Sequence, residues 1–158
     1  MAMKAHRRNI NANEAALKML SRRDYSAGQL LDRLTAKGHS PGEAADAVKA
    51  LVRVGLVDDN RFARNHVELR LAHRPCGRAL ILAELVACGI EETSARQVLD
   101  ELYPEHDESV YAERALKARF GEKAAAGYKA AIFLAGRGFR EEICRRCLEQ
   151  AVPLDTNS

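Results

Sequence analysis

Tryptophan is absent from this 158-residue chain, and it has only four phenylalanines and four tyrosines. So few aromatics leave almost no platforms on which unpaired bases could stack, which argues against a dedicated single-strand binder. Only four prolines occur, so helices have few enforced stops. No apolar run approaches the roughly 20 residues that a membrane span needs. Residues 1–10 carry charge but no following apolar stretch, so a signal peptide is not expected and the expected location is cytoplasmic. A phosphate-binding GxxxxGK[ST] loop is missing, as is HExxH, and no nucleophile–base constellation can be assembled. Neither enzyme, cofactor, metal nor small-molecule substrate is therefore expected.

Ala, Leu, Arg and Glu dominate, all good helix formers. No segment alternates with the period of two of a half-buried strand. The net charge is only +3, but it is unevenly spread. Residues 1–8 carry +3, residues 61–82 carry +4, residues 83–110 carry −7 and residues 111–148 carry +5. Basic stretches in such an alternation suit either solvated helix faces or contact with an acidic surface or polyanion.

Gly38, Gly89 and Gly138 stand 51 and 49 residues apart. Four residues before each is a leucine: Leu34, Leu85 and Leu134. Six after stand Ala44, Ala95 and Cys144; ten after stand Val48, Leu99 and Leu148. Offsets of three, four and seven mark one helix face, and their recurrence marks a tandem repeat. The fold expected is all-α: three tandem three-helix repeats, about nine helices, forming an elongated curved array. A basic tail is expected over 1–13, repeats over 14–57, 58–104 and 105–151, and a frayed end over 152–158.

Helix boundaries follow from local signals. Ser26-x-x-Gln29 reads as a capping box, and Ser40-Pro41-Gly42-Glu43 supplies a serine N-cap, proline at N1 and glutamate at N3. Asp58 and Asp59 read as caps of the next helix. The expected helices span 14–23, 26 to the stop at Gly38, Ser40-Pro41 to near Gly55, 59–72, 78–88, 91–102, 108–120, 123–136 and 140–150. Cys144-x-x-Cys147 falls on repeat positions held elsewhere by Ala44, Ala47, Ala95 and Val98, so these cysteines are expected in the core rather than on a metal. The five histidines are scattered and make no ligand set.

Arginines are the remaining chemistry. Arg61, Arg64, Arg70, Arg74 and Arg78 run along and just beyond one helix, with Arg22, Arg23 and Lys37 in the first repeat. The guanidinium fork pairs equally with carboxylate and phosphate, so residue type alone leaves protein and nucleic acid open as partners.

Gly55-Leu56-Val57-Asp58-Asp59-Asn60-Arg61-Phe62-Ala63 is similar to the G-L-[LIV]-D-D-x-x-F-A segment of the RecX family. Gly77 with Glu84-Leu85-x-x-x-Gly89-Ile90, the opening Leu20-Ser21-x-Arg23 with Lys37-Gly38, and the closing Phe133-Leu134-x-x-Arg137-Gly138-Phe139 also resemble that family in order and spacing. The resemblance covers about residues 14–150. It implies a non-enzymatic regulator, monomeric by default, that lodges in the groove of the RecA–DNA filament and lowers RecA's ATPase and strand exchange, in recombination, repair and the SOS response. The eight cations above would then face RecA or DNA phosphate, with Asp58 as a cap and Phe62 as a core anchor. A direct DNA-binding protein built on helix-turn-helix-like units is the alternative. The chain departs from the family pattern at Leu80, Leu82 and Ile132.

Overall fold

The computed structural model describes residues 10–121 and 127–150, and among these it contains nine α-helices, one 3-10 turn and no strand. In chain order the helices are α1 (Ala12–Leu20), α2 (Ala27–Ala36), α3 (Pro41–Arg53), α4 (Asp59–His73), α5 (Arg78–Ala87), α6 (Glu92–Leu102), α7 (Glu108–Phe120), α8 (Tyr128–Gly136) and α9 (Glu141–Glu149), with the 3-10 turn Glu105–Asp107 before α7. The chain divides into two compact units, Met1–Phe62 and Ala63–Ser158.

In the first unit α1, α2 and α3 pack on one another around Ala16, Leu30, Leu34, Ala44 and Val57. Each helix start is closed by its own side chain. Asn11 Oδ1 accepts from Glu14 N–H at 2.8 Å, and Ser40 Oγ accepts from Glu43 N–H at 3.2 Å. Ser26 and Gln29 form the reciprocal capping box. Asp58 Oδ1 caps the start of α4 through Arg61 N–H at 3.0 Å. Asp59 differs from expectation, for its Oδ1 accepts from Ala27 N–H at 2.8 Å and so closes α2 rather than its own helix.

The second unit holds most of α4 and all of α5 to α9. Val67, Ile81, Leu85, Leu99 and Tyr103 are buried in its first half. Ala112, Leu116, Ala130, Leu134 and Ile143 form the core of its second half.

The repeat is visible in the way three helices end. After α2, α5 and α8 the chain makes the same pair of reversed bonds: His39 N–H to Leu34 O (3.2 Å) with Gly38 N–H to Thr35 O; Ile90 N–H to Leu85 O (3.1 Å) with Gly89 N–H to Val86 O; Phe139 N–H to Leu134 O (3.1 Å) with Gly138 N–H to Ala135 O. That motif places the residue after the cap in the left-handed region, where the three glycines sit at φ 97°, 85° and 75°. The leucines four residues before them are all fully buried, a contribution of about 1.5–3 kcal/mol each.

Several boundaries and burials differ from the sequence reading. Helix α1 starts two residues early because Asn11 caps it, and it stops at Leu20 rather than at 23, in a turn over Ser21 and Arg22. Helix α8 does not run through residue 127, since Gly127 sits at φ 108° and starts the helix at Tyr128. Phe62 is half-buried, and the residues of α4 that are buried are Ala63, Val67 and Leu71. In α9 the inward stripe is Ile143 and Cys147, one i, i+4 pair. Leu148 lies a further 100° around the helix and is 40 % exposed, unlike Val48 and Leu99 in the earlier copies. The expected tail over 1–9, helix start over 123–126 and end over 152–158 lie outside the described residues.

Candidate functional site: basic side chains on two units

The eight cations fall four to each unit. In the first, Arg22, Arg23 and Lys37 are exposed. Arg23 lies over the ring of Tyr25 at 4.1 Å from its centroid, with Arg33 at 5.8 Å. The hydrogen bond from Arg23 holds the Tyr25 phenol below its ordinary pKa, aided by the charges of Arg23, Arg33 and Arg22 and opposed by burial. Arg61 turns inward. Its guanidinium donates to Gly55 O and Leu56 O, both at 3.2 Å, and lies 3.9 Å from Asp24 Oδ2. It therefore satisfies carbonyls beyond the end of α3.

In the second unit three of the four arginines are engaged within the fold. Arg64 pairs with Glu101 at 2.5 Å. Arg70 pairs with Glu84 at 3.0 Å, while Glu84 also holds His66 at 2.8 Å, and the Arg70 Nε is buried without a hydrogen-bond partner among the described residues. Arg78 is the most enclosed, with its side chain only 15 % exposed. It donates to Leu99 O at 3.0 Å and to Tyr103 O, and pairs with Asp100 at 2.6 Å. It thereby closes the C-terminal end of α6 from a distance of more than twenty residues. Arg74 alone of the four is exposed with no side-chain hydrogen bond or ion pair among the described residues.

Arg74 has company that the sequence reading missed. It lines an open cleft of about 330 Å³ with His73, Arg119 and Arg137. Arg137 lies 5.0 Å over the Phe133 ring and Arg119 lies 5.1 Å over Phe120. The two phenylalanines meet edge to face at 5.6 Å. The sequence signals for these residues were the Arg119-Phe120 neighbours and Arg137 within the closing family-like segment.

Cys147 is buried, as expected, and so is Cys76, whereas Cys88 and Cys144 are only partly so. Burial pushes the thiols of Cys76, Cys144 and Cys147 up from their ordinary range. Among the described residues no group of three or more His, Cys, Asp or Glu side chains converges as a metal site. No helix of the described residues is long and apolar enough to cross a membrane.

Residues 12–51 match a family model described as RecX, first three-helix domain. Regulatory protein RecX of Chromohalobacter salexigens is 40% identical over 139 residues, which cover 86% of this chain and 90% of that protein. The chain belongs to the RecX family. Regulatory protein RecX of Legionella pneumophila is 33% identical over 144 residues, covering 88% and 93% of the two chains. The crystal structure of RecX from Lactobacillus salivarius superposes with a TM-score of 0.66 at 21% identity, over 88% of this chain and 93% of that one. A second crystal structure, of regulatory protein RecX, gives a TM-score of 0.68 at 18% identity, over 86% of this chain and 70% of that one. The last two likenesses establish the helical fold; the first two place the chain among regulatory proteins.

Proposed function

We propose that this chain is a docking regulator of RecA, binding the recombinase or its DNA filament and lowering its ATPase and strand-exchange activity. The observation that carries this reading is near full-length similarity to proteins named regulatory protein RecX. The side chains support a binding rather than a chemical role: burial raises the pKa of the Cys76, Cys144 and Cys147 thiols, and Arg22, Arg23, Lys37 and Arg74 are exposed. Contact is assigned first to the exposed cations Arg22, Arg23, Lys37 and Arg74. Arg61, Arg64, Arg70 and Arg78 contribute by holding helix ends and helix pairs in place. The protein acts as a cytoplasmic monomer without cofactor.

The test is RecA's single-strand-dependent ATP hydrolysis while this protein is added below stoichiometry, with binding to DNA alone measured in parallel. Loss of hydrolysis without competition for free DNA is expected. Unchanged hydrolysis with a folded protein overturns the reading, and tight RecA-free DNA binding with a steep salt slope would put the direct DNA-binding alternative in its place. Arg74→Glu should weaken the effect about tenfold, the cost of reversing one interface charge. Arg70→Glu is a poor probe, because it would set a second carboxylate against Glu84.

A further inference from the structure

We infer that the cleft between the C-terminal ends of α4, α7 and α8 in the second unit is a docking site for an acidic peptide segment carrying one large aliphatic side chain. Every ionisable side chain lining it is basic: His73, Arg74, Arg119 and Arg137. The rest of the lining is apolar, including Ala115, Ala118 and Phe133. Three helix C-termini explain why cations gather there, since the negative end of each helix dipole favours them. No carboxylate of the lining answers them, so the complement must come from outside.

The frame is rigid. Gly77 N–H donates to Arg137 O at 2.8 Å, and a side chain at Gly77 would stand 1.9 Å from Gly138 O. The turn after α4 is thus pressed onto the end of α8, which fixes Arg74 and Arg137 relative to one another.

The lining chemistry chooses between the two polyanions an arginine cluster can serve. A phosphate backbone brings charge but nothing to fill the apolar part. Base stacking needs a free ring face, whereas Arg137 lies over Phe133 and Arg119 over Phe120, and the rings themselves meet edge to face. Carboxylates suit the guanidinium forks, and an aliphatic side chain suits the alanine and phenylalanine surface. The volume, about 330 Å³, admits one such side chain with its neighbours.

That this peptide belongs to RecA rests on the reading above; the binding chemistry does not. The test therefore uses no RecA. A fluorescent Glu-rich peptide with one central leucine is titrated at physiological salt, beside its Leu→Ala version, its Glu→Gln version and an oligothymidine of equal length, with amide NMR shifts locating the contact. The leucine peptide should bind with shifts over residues 115–119 and 133–137. The alanine version should bind about tenfold more weakly, the glutamine version should not bind, and Arg119→Glu, a change on an exposed helix surface, should weaken binding by about tenfold. Ala118→Glu, with the fold verified by circular dichroism, should do the same without touching an arginine. Absence of peptide binding, equal binding of leucine and alanine peptides, shifts elsewhere, or tighter binding of oligothymidine lost in Arg119→Glu would each overturn the proposal. Because RecA is not present, such a failure leaves the ATPase result standing, and failure of the ATPase result leaves the peptide result standing.

Discussion

The two units share the way α2, α5 and α8 end, but most of their helix starts are closed by different means. In the first, the starts of α1, α2, α3 and α4 are capped by Asn11, Ser26, Ser40 and Asp58, each bonding an amide three residues ahead. In the second, the residues before α5, α6, α8 and α9 are Gly77, Glu91, Gly127 and Arg140, and none caps with its side chain. Closure there comes from far along the chain. Glu108, completely buried at the start of α7, accepts from Arg78 N–H at the head of α5 (3.2 Å) and from Arg140 Nε at the head of α9 (2.6 Å). Arg78 then closes the end of α6, and Arg140 also donates to Glu105 O. Local caps depend on a few neighbouring residues; the second scheme depends on tertiary structure already being in place.

The largest effect should follow from removing the close approach that lets this long-range scheme form. Gly77→Ala places a methyl group 1.9 Å from a backbone oxygen that no rotamer change can move. We expect a loss above about 4 kcal/mol, in the range reserved for forced backbone displacement, seen as loss of exchange-protected amides in the second unit while the first keeps its own. Gly42, in the first turn of α3 with nothing within 4 Å of its would-be side chain, is the matched contrast. Gly42→Ala should stabilise by about 0.5–1 kcal/mol. If both alanines behaved alike, packing at Gly77 would not be what distinguishes the second unit.

Next comes Glu108. Glu108→Ala strands the Arg78 amide and leaves Arg140 with only its links to Glu105, at a cost of about 3 kcal/mol by denaturant unfolding. Arg78→Ala should cost about 2 kcal/mol, chiefly through the Tyr103 carbonyl it leaves without its donor, since Leu99 O keeps the Tyr103 N–H. In the first unit Ser26→Ala should cost about 1 kcal/mol, the ordinary worth of an N-cap. Parity between Ser26→Ala and Glu108→Ala would erase the distinction drawn here.

That distinction also marks what was legible in the sequence. The start of α2 at Ser26 and of α3 at Ser40, and the glycine stops after α2, α5 and α8, are short-range patterns in which the partners lie within five residues, so spacing reveals them. Arg78 was legible as a cation but not as a helix closer, because its acceptors are Leu99 and Tyr103 and only folding brings them near. Asp59 closing α2 at Ala27 was hidden for the same reason. The basic cleft was missed because Arg74, Arg119 and Arg137 stand on three helices, and a reading along the chain sees them as unrelated. Leu148 was misplaced because the copies share offsets but not the width of the buried face.

The smallest effect separates the units by pH. In the second, burial raises the thiols of Cys76, Cys144 and Cys147 and the phenol of Tyr103, whose hydroxyl donates to Cys76 O at 3.0 Å. Groups held protonated in the folded state stabilise it fully below their unfolded pKa, about 8.5 for a thiol and 10 for a phenol. Above those values the unfolded chain releases protons that the folded one retains, so stability falls as pH rises. Tyr25 in the first unit runs the other way. Its pKa is lowered, chiefly by the Arg23 hydrogen bond. Its contribution is therefore absent at neutral pH and develops as pH rises through the lowered folded value. Peak volumes of folded amides across a urea series at pH 7.5 and pH 10 should show the second unit's midpoint falling while the first unit's holds or rises. Mutating Tyr25 to Phe should abolish the first unit's alkaline gain and leave the second unit's decline unchanged; a decline shared equally by both units would show that general charge repulsion, rather than these buried groups, sets the alkaline limit.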